Sequence, residues 1–211
     1  MFTGITRGTF PITRIERSPG RLSYAVALPP QLTAGLEVGA SVAIDGVCQT
    51  VAAIGADGVC FDAIEETLRC TTLDALNVGT RVAVERSFKV GDEIGGHEVS
   101  GHVIGTGKVI EVRAGGGRHD LRIEVPAEWM KNILPKGFIG VDGSSLTVGE
   151  TGPTWFDVHL IPETIRLTNL GHKVAGSRVN IELDARTVAI VATVERVLAQ
   201  RGLASRGSNH E

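Results

Sequence analysis

The sequence has few aromatic residues, few cysteines and no long apolar run. With only six Phe, two Trp and one Tyr among 211 residues, aliphatic side chains must fill most of the core. No apolar segment is long enough to span a membrane, and Lys and Arg form no basic stripe of the kind that binds nucleic acid. We therefore expect neither a membrane nor a nucleic-acid partner.

The three cysteines, Cys48, Cys60 and Cys70, are odd in number and lack the spacing of metal ligands. This pattern argues against a disulfide scaffold and against a zinc site, and it favours a reducing compartment. The first residues lead directly into strand-like sequence, without the charged and apolar regions of a signal peptide. We expect a cytoplasmic protein that binds no metal.

What the sequence does contain is an internal repeat. The segment Asp45–Val51 (DGVCQTV) returns as Asp142–Val148 (DGSSLTV), 97 positions later (143 − 46 = 97). The same offset aligns further pairs: Gly4 with Gly101, Gly8 with Gly105, Glu66 with Glu163, and Glu85 with Glu182. Chance does not hold one register over so many positions, so the chain consists of two copies of one unit.

Composition and turn signals favour strands in both copies. The 27 glycines separate short runs that are rich in Val, Ile and Thr. Short strands at this spacing predict an antiparallel barrel, closed or nearly closed, in each half. We expect a first strand over residues 2–13, a second over 22–28, helical turns over 31–35 and 127–133, and a hairpin turn at 114–117.

The last segment has no counterpart in the first half. Four apolar residues recur there at helical spacing: Val191, Val194, Val197 and Leu198. They predict an amphipathic helix over residues 187–200, with Gly202 as its C-cap. This stripe either covers a barrel or packs against copies of itself, and the pattern leaves both open. The expected parts are barrels over 1–97 and 98–185, a helix over 186–202 and a flexible tail over 203–211.

The candidate reactive residues are those that differ between the copies. Cys48 corresponds to Ser145, so a thiol and a hydroxyl would treat two copies of one ligand differently. Cys48 is interpreted either as a small buried hydrophobe or as a thiolate of low pKa. Without a neighbouring base, Ser145 is a hydrogen-bonding group rather than a nucleophile.

One histidine also distinguishes the copies. His102 replaces Ile5, and it is either a base near neutral pH or a surface histidine. His97, in a Gly-rich turn, and His159, between core positions, have weaker claims.

Two charged residues complete this asymmetry. Lys136 replaces Gly39, and Asp184 replaces Ser87. Each is either a solvated surface charge or a group that binds polar oxygens or relays protons.

Five motifs together resemble the riboflavin synthase family of two-barrel proteins. They are Met1–Ile5 (MFTGI), Asp92–His97 (DEIGGH), Ser100–Val103 (SGHV), Lys136–Gly143 (KGFIGVDG) and His159–Thr164 (HLIPET). The resemblance covers roughly residues 1 to 200, and the agreement of independent motifs makes it specific. It implies an all-β fold with two homologous six-stranded antiparallel Greek-key β-barrels in tandem and a C-terminal α-helix.

The resemblance implies the dismutation of two molecules of 6,7-dimethyl-8-ribityllumazine. One molecule donates a four-carbon unit to the other, giving riboflavin and 5-amino-6-(D-ribitylamino)uracil, with no metal or organic cofactor. It further implies a homotrimer held by the C-terminal helices, with each active site between two chains, and association with lumazine synthase. The alternative is a lumazine-binding antenna or carrier protein without catalysis.

The resemblance also implies which residues bind the lumazines. In the first barrel they are Gly4, Ile5, Thr6, Cys48, Gln49, Thr50, Asp62, Ala63, Ile64, Glu65, Glu66 and Thr67. In the second barrel they are Gly101, His102, Val103, Ser145, Leu146, Thr147, Leu160, Ile161, Pro162, Glu163, Thr164 and Ile165, with Lys136 reaching in from another chain.

In the resulting hypothesis, His102 assists removal of a proton from the C7 methyl group of one lumazine. Cys48, or a water near it, adds to the partner lumazine, while Ser145 and Asp184 position groups and relay protons. Gln49 and Thr6 stand where the family pattern has aliphatic residues.

Overall fold

In the computed structural model, which describes residues 1–201, each copy of the repeat folds into a closed barrel of six antiparallel strands. The first barrel consists of β1 (Thr9–Ser18), β2 (Arg21–Val26), β3 (Ser41–Ile44), β4 (Val47–Gly55), β5 (Gly58–Ile64) and β6 (Arg81–Arg86). Its connections contain helices α1 (Pro30–Thr33) and α2 (Glu65–Cys70) and a 3₁₀ turn over Thr72–Ala75.

The second barrel repeats this plan. It consists of β7 (Gly105–Gly115), β8 (Arg118–Glu124), β9 (Phe138–Val141), β10 (Ser144–Thr151), β11 (Trp155–His159) and β12 (Arg178–Leu183). Helix α3 (Pro162–Leu167) and 3₁₀ turns over Ala127–Asn132 and Leu170–His172 lie in its connections, and helix α4 (Ala185–Gln200) follows it. The strand orders are β1-β2-β5-β4-β3-β6 and β10-β11-β8-β7-β12-β9. The long connection from β2 to β3 across β5 and β4 is that of a Greek key.

Each barrel has its own hydrophobic core. In the first, the ring centroids of Tyr24 and Phe61 lie 5.5 Å apart among buried aliphatic residues. In the second, Phe156 takes part in a core that is otherwise mostly aliphatic. Along β10 the alternate residues Ser144, Leu146 and Val148 are buried, so the residues between them point away from the core. This alternation determines which side chains a ligand on the barrel surface can reach.

The two copies meet at their repeated turns. Gly46 and Gly143 have φ angles of 80° and 81°, and a Cβ on Gly46 would lie 2.3 Å from the backbone nitrogen of Gly143. Beside them, Asn180 donates through Nδ2 to the backbone oxygen of Asp45 at 2.8 Å and to Thr72 Oγ1 at 2.9 Å. These contacts dock the barrels through glycine and a buried polar network.

The first predicted strand is wrong at its start, because residues 2–8 precede β1, although Arg7 and Gly8 still bond to Val84 of β6. Strand β1 begins at Thr9, while Phe2 pairs with Val99 ahead of the second barrel, through hydrogen bonds of 2.7 and 2.9 Å. Strand β2 ends two residues before the predicted end. The helical turns are confirmed as α1 and the 3₁₀ turn over Ala127–Asn132, and the hairpin as the β7–β8 connection.

The terminal helix is confirmed and begins two residues earlier than predicted. Val188 packs against the second core, and Lys131 pairs with Glu195 at 2.7 Å. Its apolar stripe is largely exposed in the single chain, with Val194 at 51%. Gly202 and the tail over 203–211 lie outside the described residues. Within residues 1–201, no helix has the length and apolar character needed to cross a bilayer.

Candidate active site

The segment that opens each copy packs against the candidate reactive residue of the other copy. Gly101 accepts a hydrogen bond from the Cys48 backbone N–H at 2.9 Å, and Gly4 accepts one from Ser145 at 2.9 Å. A Cβ on Gly101 would lie 2.5 Å from Cys48 Cβ, and one on Gly4 would lie 2.5 Å from Ser145 Cβ. Both glycines have positive φ angles, so this close approach requires glycine at each position.

Two repeated glutamates hold these segments in place. The carboxylate of Glu85 accepts from Thr3 N and Thr3 Oγ1 at 2.7 Å each, and from Gly4 N at 3.0 Å. Glu182 makes the same set of bonds to the backbone and hydroxyl of Ser100 and to the Gly101 backbone. Burial raises the pKa of Glu85, and the bonds from Thr3 oppose this rise. In the sequence, Glu85 and Glu182 align at the offset of 97. That alignment marks both glutamates as repeated but does not show which segments they bind.

The first-barrel site brings Cys48 and His102 together. Both line a cavity of about 270 Å³ with Glu66, Thr67 and Cys70. Cys48 is half-buried and His102 is exposed. The resemblance assigned residues 101–103 to the second barrel and Gly4 to the first; the structure packs Gly101 against Cys48 of the first barrel and Gly4 against Ser145 of the second.

The second-barrel site pairs Ser145 with His97, not with His102. The Ser145 Oγ accepts from the His97 backbone N–H at 3.0 Å and lies 2.6 Å from His97 Nδ1. The His97 ring stacks on Phe138 with centroids 5.0 Å apart. Burial lowers the pKa of His97, and the nearby carboxylates of Asp184 and Glu182 oppose this shift. The imidazole is thus neutral at physiological pH, and Ser145 has the neighbouring base that sequence reasoning did not find.

The signal for His97 was the glycine before it. A Cβ on Gly96 would lie 2.6 Å from Ser145 Cβ, so glycine is required for the linker to approach this serine. From the sequence, Gly95 and Gly96 indicated only a turn. The sequence alone could not show that this segment between the barrels packs against Ser145 on β10.

Asp184 caps a helix as well as facing this region. Its Oδ2 accepts from Thr187 N at 3.0 Å and from Thr187 Oγ1 at 2.6 Å, at the start of α4. Partial burial alone would raise the pKa of Asp184, but the bonds from Thr187 outweigh it and lower the pKa. Asp184 and His97 line one cavity of about 510 Å³.

Lys136 lies at a separate place on the second barrel. Its φ angle is 66°, and its backbone N–H donates to Val148 at 2.9 Å. Its side chain lines a cavity of about 600 Å³ with Trp155 and His159. The structure of a single chain thus does not bring Lys136 to Cys48.

Several predicted ligand-binding residues are buried. The buried ones are Thr6, Gln49, Ala63, Leu146 and Leu160. Gln49 accepts from the Tyr24 hydroxyl at 3.2 Å, which explains how a polar residue is accommodated at this position. A ligand on the outer face would reach these residues only through their backbone.

The remaining residues of the predicted set are accessible to different degrees. The exposed ones are Ile5, Thr50, Asp62, Ile64, Glu65, Glu66, Thr147, Ile161, Pro162 and Glu163, while Thr67, Val103, Thr164 and Ile165 are half-buried. Glu66 pairs with Arg69 and Glu163 with Arg166, each at 2.6 Å, and these arginine bonds lower the pKa of both glutamates.

Comparison with known proteins bears on both barrels. The model of the lumazine binding domain matches residues 3–87 and again 100–184. The riboflavin synthase of Escherichia coli (strain K12) is 51% identical over 202 residues, which cover 95% of each chain.

Two solved structures also share this fold. LumP complexed with riboflavin superimposes with a TM-score of 0.81 at 28% identity, covering 87% of this chain and 100% of that one. LumP complexed with 6,7-dimethyl-8-(1'-D-ribityl) lumazine gives a TM-score of 0.79 at 27% identity, covering 87% and 99%.

Proposed function

The chain belongs to the riboflavin synthase family, and we propose that its two barrels each bind one lumazine and present the two molecules as unlike reactants. The chain is a transferase that converts two molecules of 6,7-dimethyl-8-ribityllumazine into riboflavin and 5-amino-6-(D-ribitylamino)uracil. The observation that carries the proposal is the reciprocal contact of Gly101 with Cys48 and of Gly4 with Ser145. It builds two related sites whose reactive groups differ.

In the first-barrel site, the proposed base is His102. Its exposed imidazole and the Cys48 thiol line the same cavity, so a ring bound there contacts both. His102 takes a proton from the C7 methyl group of a lumazine, and Cys48, or a water beside it, adds to a lumazine ring.

In the second-barrel site, Ser145 and His97 act as a unit. The His97 backbone N–H and ring fix the Ser145 hydroxyl, so its remaining hydrogen-bonding capacity faces the ligand. Burial keeps His97 neutral and able to accept a proton, while Asp184 places a negative charge near it. This pair positions the second lumazine and relays protons.

The reaction requires contact between two rings, and we propose that two chains of a homotrimer, the assembly that the family resemblance implies, supply one ring each. The Cys48 site is lined by residues 101–103 and the first barrel, whereas the Ser145 site is lined by Gly4, Gly96 and His97. The two linings share no residue, so they form two separate sites on one chain. We propose that the first-barrel site of one chain faces the second-barrel site of another, and that Lys136 reaches from one chain into the site of the other. The exposed stripe of α4 would hold the chains together through Ile190, Val194, Val197 and Leu198.

Two further parts of the proposal concern the cell. The protein is proposed to associate with lumazine synthase, as the family resemblance implies. It is located in the cytoplasm, where free thiols such as those of Cys48, Cys60 and Cys70 remain reduced.

The direct test is incubation of the purified protein with 6,7-dimethyl-8-ribityllumazine while the absorbance of riboflavin is followed. Formation of riboflavin and the uracil in equal amounts is expected. The similarity to LumP makes a non-catalytic binding protein the second candidate. Stable retention of unconverted lumazine, with no riboflavin formed, would favour that candidate and contradict the proposal.

A further inference from the structure

A histidine–aspartate pair lies on the second barrel, apart from Ser145 and His97. His159 ends β11, and its cross-strand partner on β8 is Asp120. The His159 Nδ1 lies 2.7 Å from Asp120 Oδ1, with the Asp120 side chain 3% exposed and the His159 side chain 53% exposed. Arg118 also contacts the carboxylate of Asp120. Asp120 is thus fixed inside the pair, and His159 is its accessible member.

The pair determines which ring nitrogen of His159 faces outward. Burial alone would raise the pKa of Asp120, but the bonds from His159 and Arg118 outweigh it and lower the pKa. The ionised carboxylate only accepts hydrogen bonds, so Nδ1 of His159 carries the hydrogen. In the neutral imidazole the lone pair is then on Nε2, where it can accept a hydrogen bond from a ligand.

His159 belongs to the same outer face as Ser145. On β10 the residues Ser145, Thr147 and Gly149 alternate with buried positions, and successive members of this row lie about 7 Å apart. A Cβ on Gly149 would lie 2.7 Å from His159 Nε2, so the imidazole lies over this glycine. The row therefore runs from the Ser145 hydroxyl to His159 Nε2.

The first barrel has a different set of residues at these three positions. Gly149, His159 and Asp120 correspond to Ala52, Asp62 and Ser23 at the offset of 97. Ser23 donates to the carboxylate of Asp62. Each copy therefore has an exposed acceptor at this position that a residue on the neighbouring strand orients. The acceptor is an anion in the first copy and an imidazole nitrogen in the second.

Identical ligands explain why an acceptor is present in both copies. Both lumazines carry the same ring imide, whose N–H needs an acceptor when it leaves water. The cavity of about 600 Å³ beside His159 falls in the size range of small-molecule sites.

We propose that His159 contacts the lumazine on the second barrel and accepts a hydrogen bond from its ring imide, with Asp120 as the positioning residue. Asp62 is the acceptor at the equivalent place on the first barrel. The inference rests on the proposed function, because it assumes one lumazine on each barrel.

The test is titration calorimetry of the full chain with riboflavin, which has the same ring imide, and with 3-methylriboflavin, which lacks the imide hydrogen. His159→Ala should weaken the affinity for riboflavin about tenfold at one of the two sites, which is the usual loss for one hydrogen bond to a ligand. Asp62→Ala, the matched control, should weaken the other site. At the site affected by His159→Ala, 3-methylriboflavin should bind the variant and the wild type equally.

Two further variants separate a contact from a structural effect. His159→Gln retains an acceptor and should recover part of the lost affinity, whereas Asp120→Asn should weaken the same site less than His159→Ala. Riboflavin affinities unchanged by His159→Ala, or an equal loss of 3-methylriboflavin affinity, would overturn the inference. Lumazine turnover by the wild type is measured separately, so that failure to form riboflavin counts against the proposed function and not against this contact.

Discussion

The two barrels are alike where they are buried and different where a ligand would lie. Glu85 and Glu182 hold the opening segments with the same bonds, and Gly46 faces Gly143 across the junction. The groups beside these segments differ: the Cys48 thiol lies near the His102 imidazole, whereas the Ser145 hydroxyl is bonded to His97. The comparison teaches that duplication kept the framework that docks the copies and altered the chemistry that it presents.

The largest expected effect tests the shared framework. Gly46→Ala would place a methyl group 2.3 Å from the Gly143 backbone nitrogen, where no flexible side chain can yield. We expect a loss of about 4 kcal/mol or more in the free energy of unfolding, measured by urea denaturation. The control is Gly79→Ala, which has a similar φ angle of 87° and nothing within 4 Å. It should lose only about 1 kcal/mol from backbone strain, and equal losses would show that the contact between turns is unimportant.

The next largest effect distinguishes Asp142 from Asp45, the two aspartates that precede Gly143 and Gly46. Lys173 Nζ lies 2.8 Å from Asp142, so Asp142→Asn leaves a largely buried ammonium without this carboxylate. Removing one partner of a buried pair costs about 3 kcal/mol, and this loss should show in denaturant unfolding.

The equivalent variant of Asp45 has a different expected result. Burial, and then the Asp142 carboxylate, raise the pKa of Asp45 from 3.8 to about 7. The folded protein therefore holds a proton that the unfolded chain releases, and stability falls as pH rises from about 4 to 7. Asp45→Asn keeps an acceptor for the Ala83 N–H but removes this fall. Its stability relative to the wild type should thus increase from pH 5 to 8, and a constant difference would contradict the raised pKa.

The sequence predicted the scaffold because repetition and strand alternation are local signals. Comparing the two copies predicted the barrels and identified Cys48, Ser145 and His102 as candidates, and apolar spacing predicted the α4 helix. The exchange of opening segments did not follow, because the Phe2–Val99 pairing joins residues far apart in sequence. The contact of His97 with Ser145 was missed for the same reason, since it crosses between a linker and a strand.

The imidazoles of His102 and His97, at the two proposed reactive sites, are expected to contribute unequally to turnover. His102→Gln removes the proposed base and should lower kcat about 100-fold, the usual contribution of general base catalysis. His97→Gln keeps a hydrogen-bonding group beside Ser145 and should lower kcat only about tenfold, the equivalent of one hydrogen bond. Stopped-flow formation of riboflavin, with unfolding curves as the control, measures both. Undiminished turnover in His102→Gln would remove it from the mechanism, and reversed effects would assign the base to the second barrel.

The smallest expected effect concerns Asp184, whose counterpart in the first copy is Ser87. Asp184→Ala removes the N-cap of α4 and should cost about 1 kcal/mol of stability, whereas Asp184→Ser retains a capping oxygen and should cost a few tenths at most. Both variants remove the negative charge near His97. An interaction between charges at a partly exposed site contributes about 1 kcal/mol, so we expect kcat to fall about fivefold in each variant. Unfolding curves and turnover, measured on the same preparations, separate the two roles. Equal stability of the two variants would exclude the cap, and unchanged turnover would exclude an electrostatic role in the second-barrel site. Serine is the residue that the first copy has at this position, Ser87. The Asp184→Ser variant therefore also shows whether turnover requires a negative charge at this position of the second barrel.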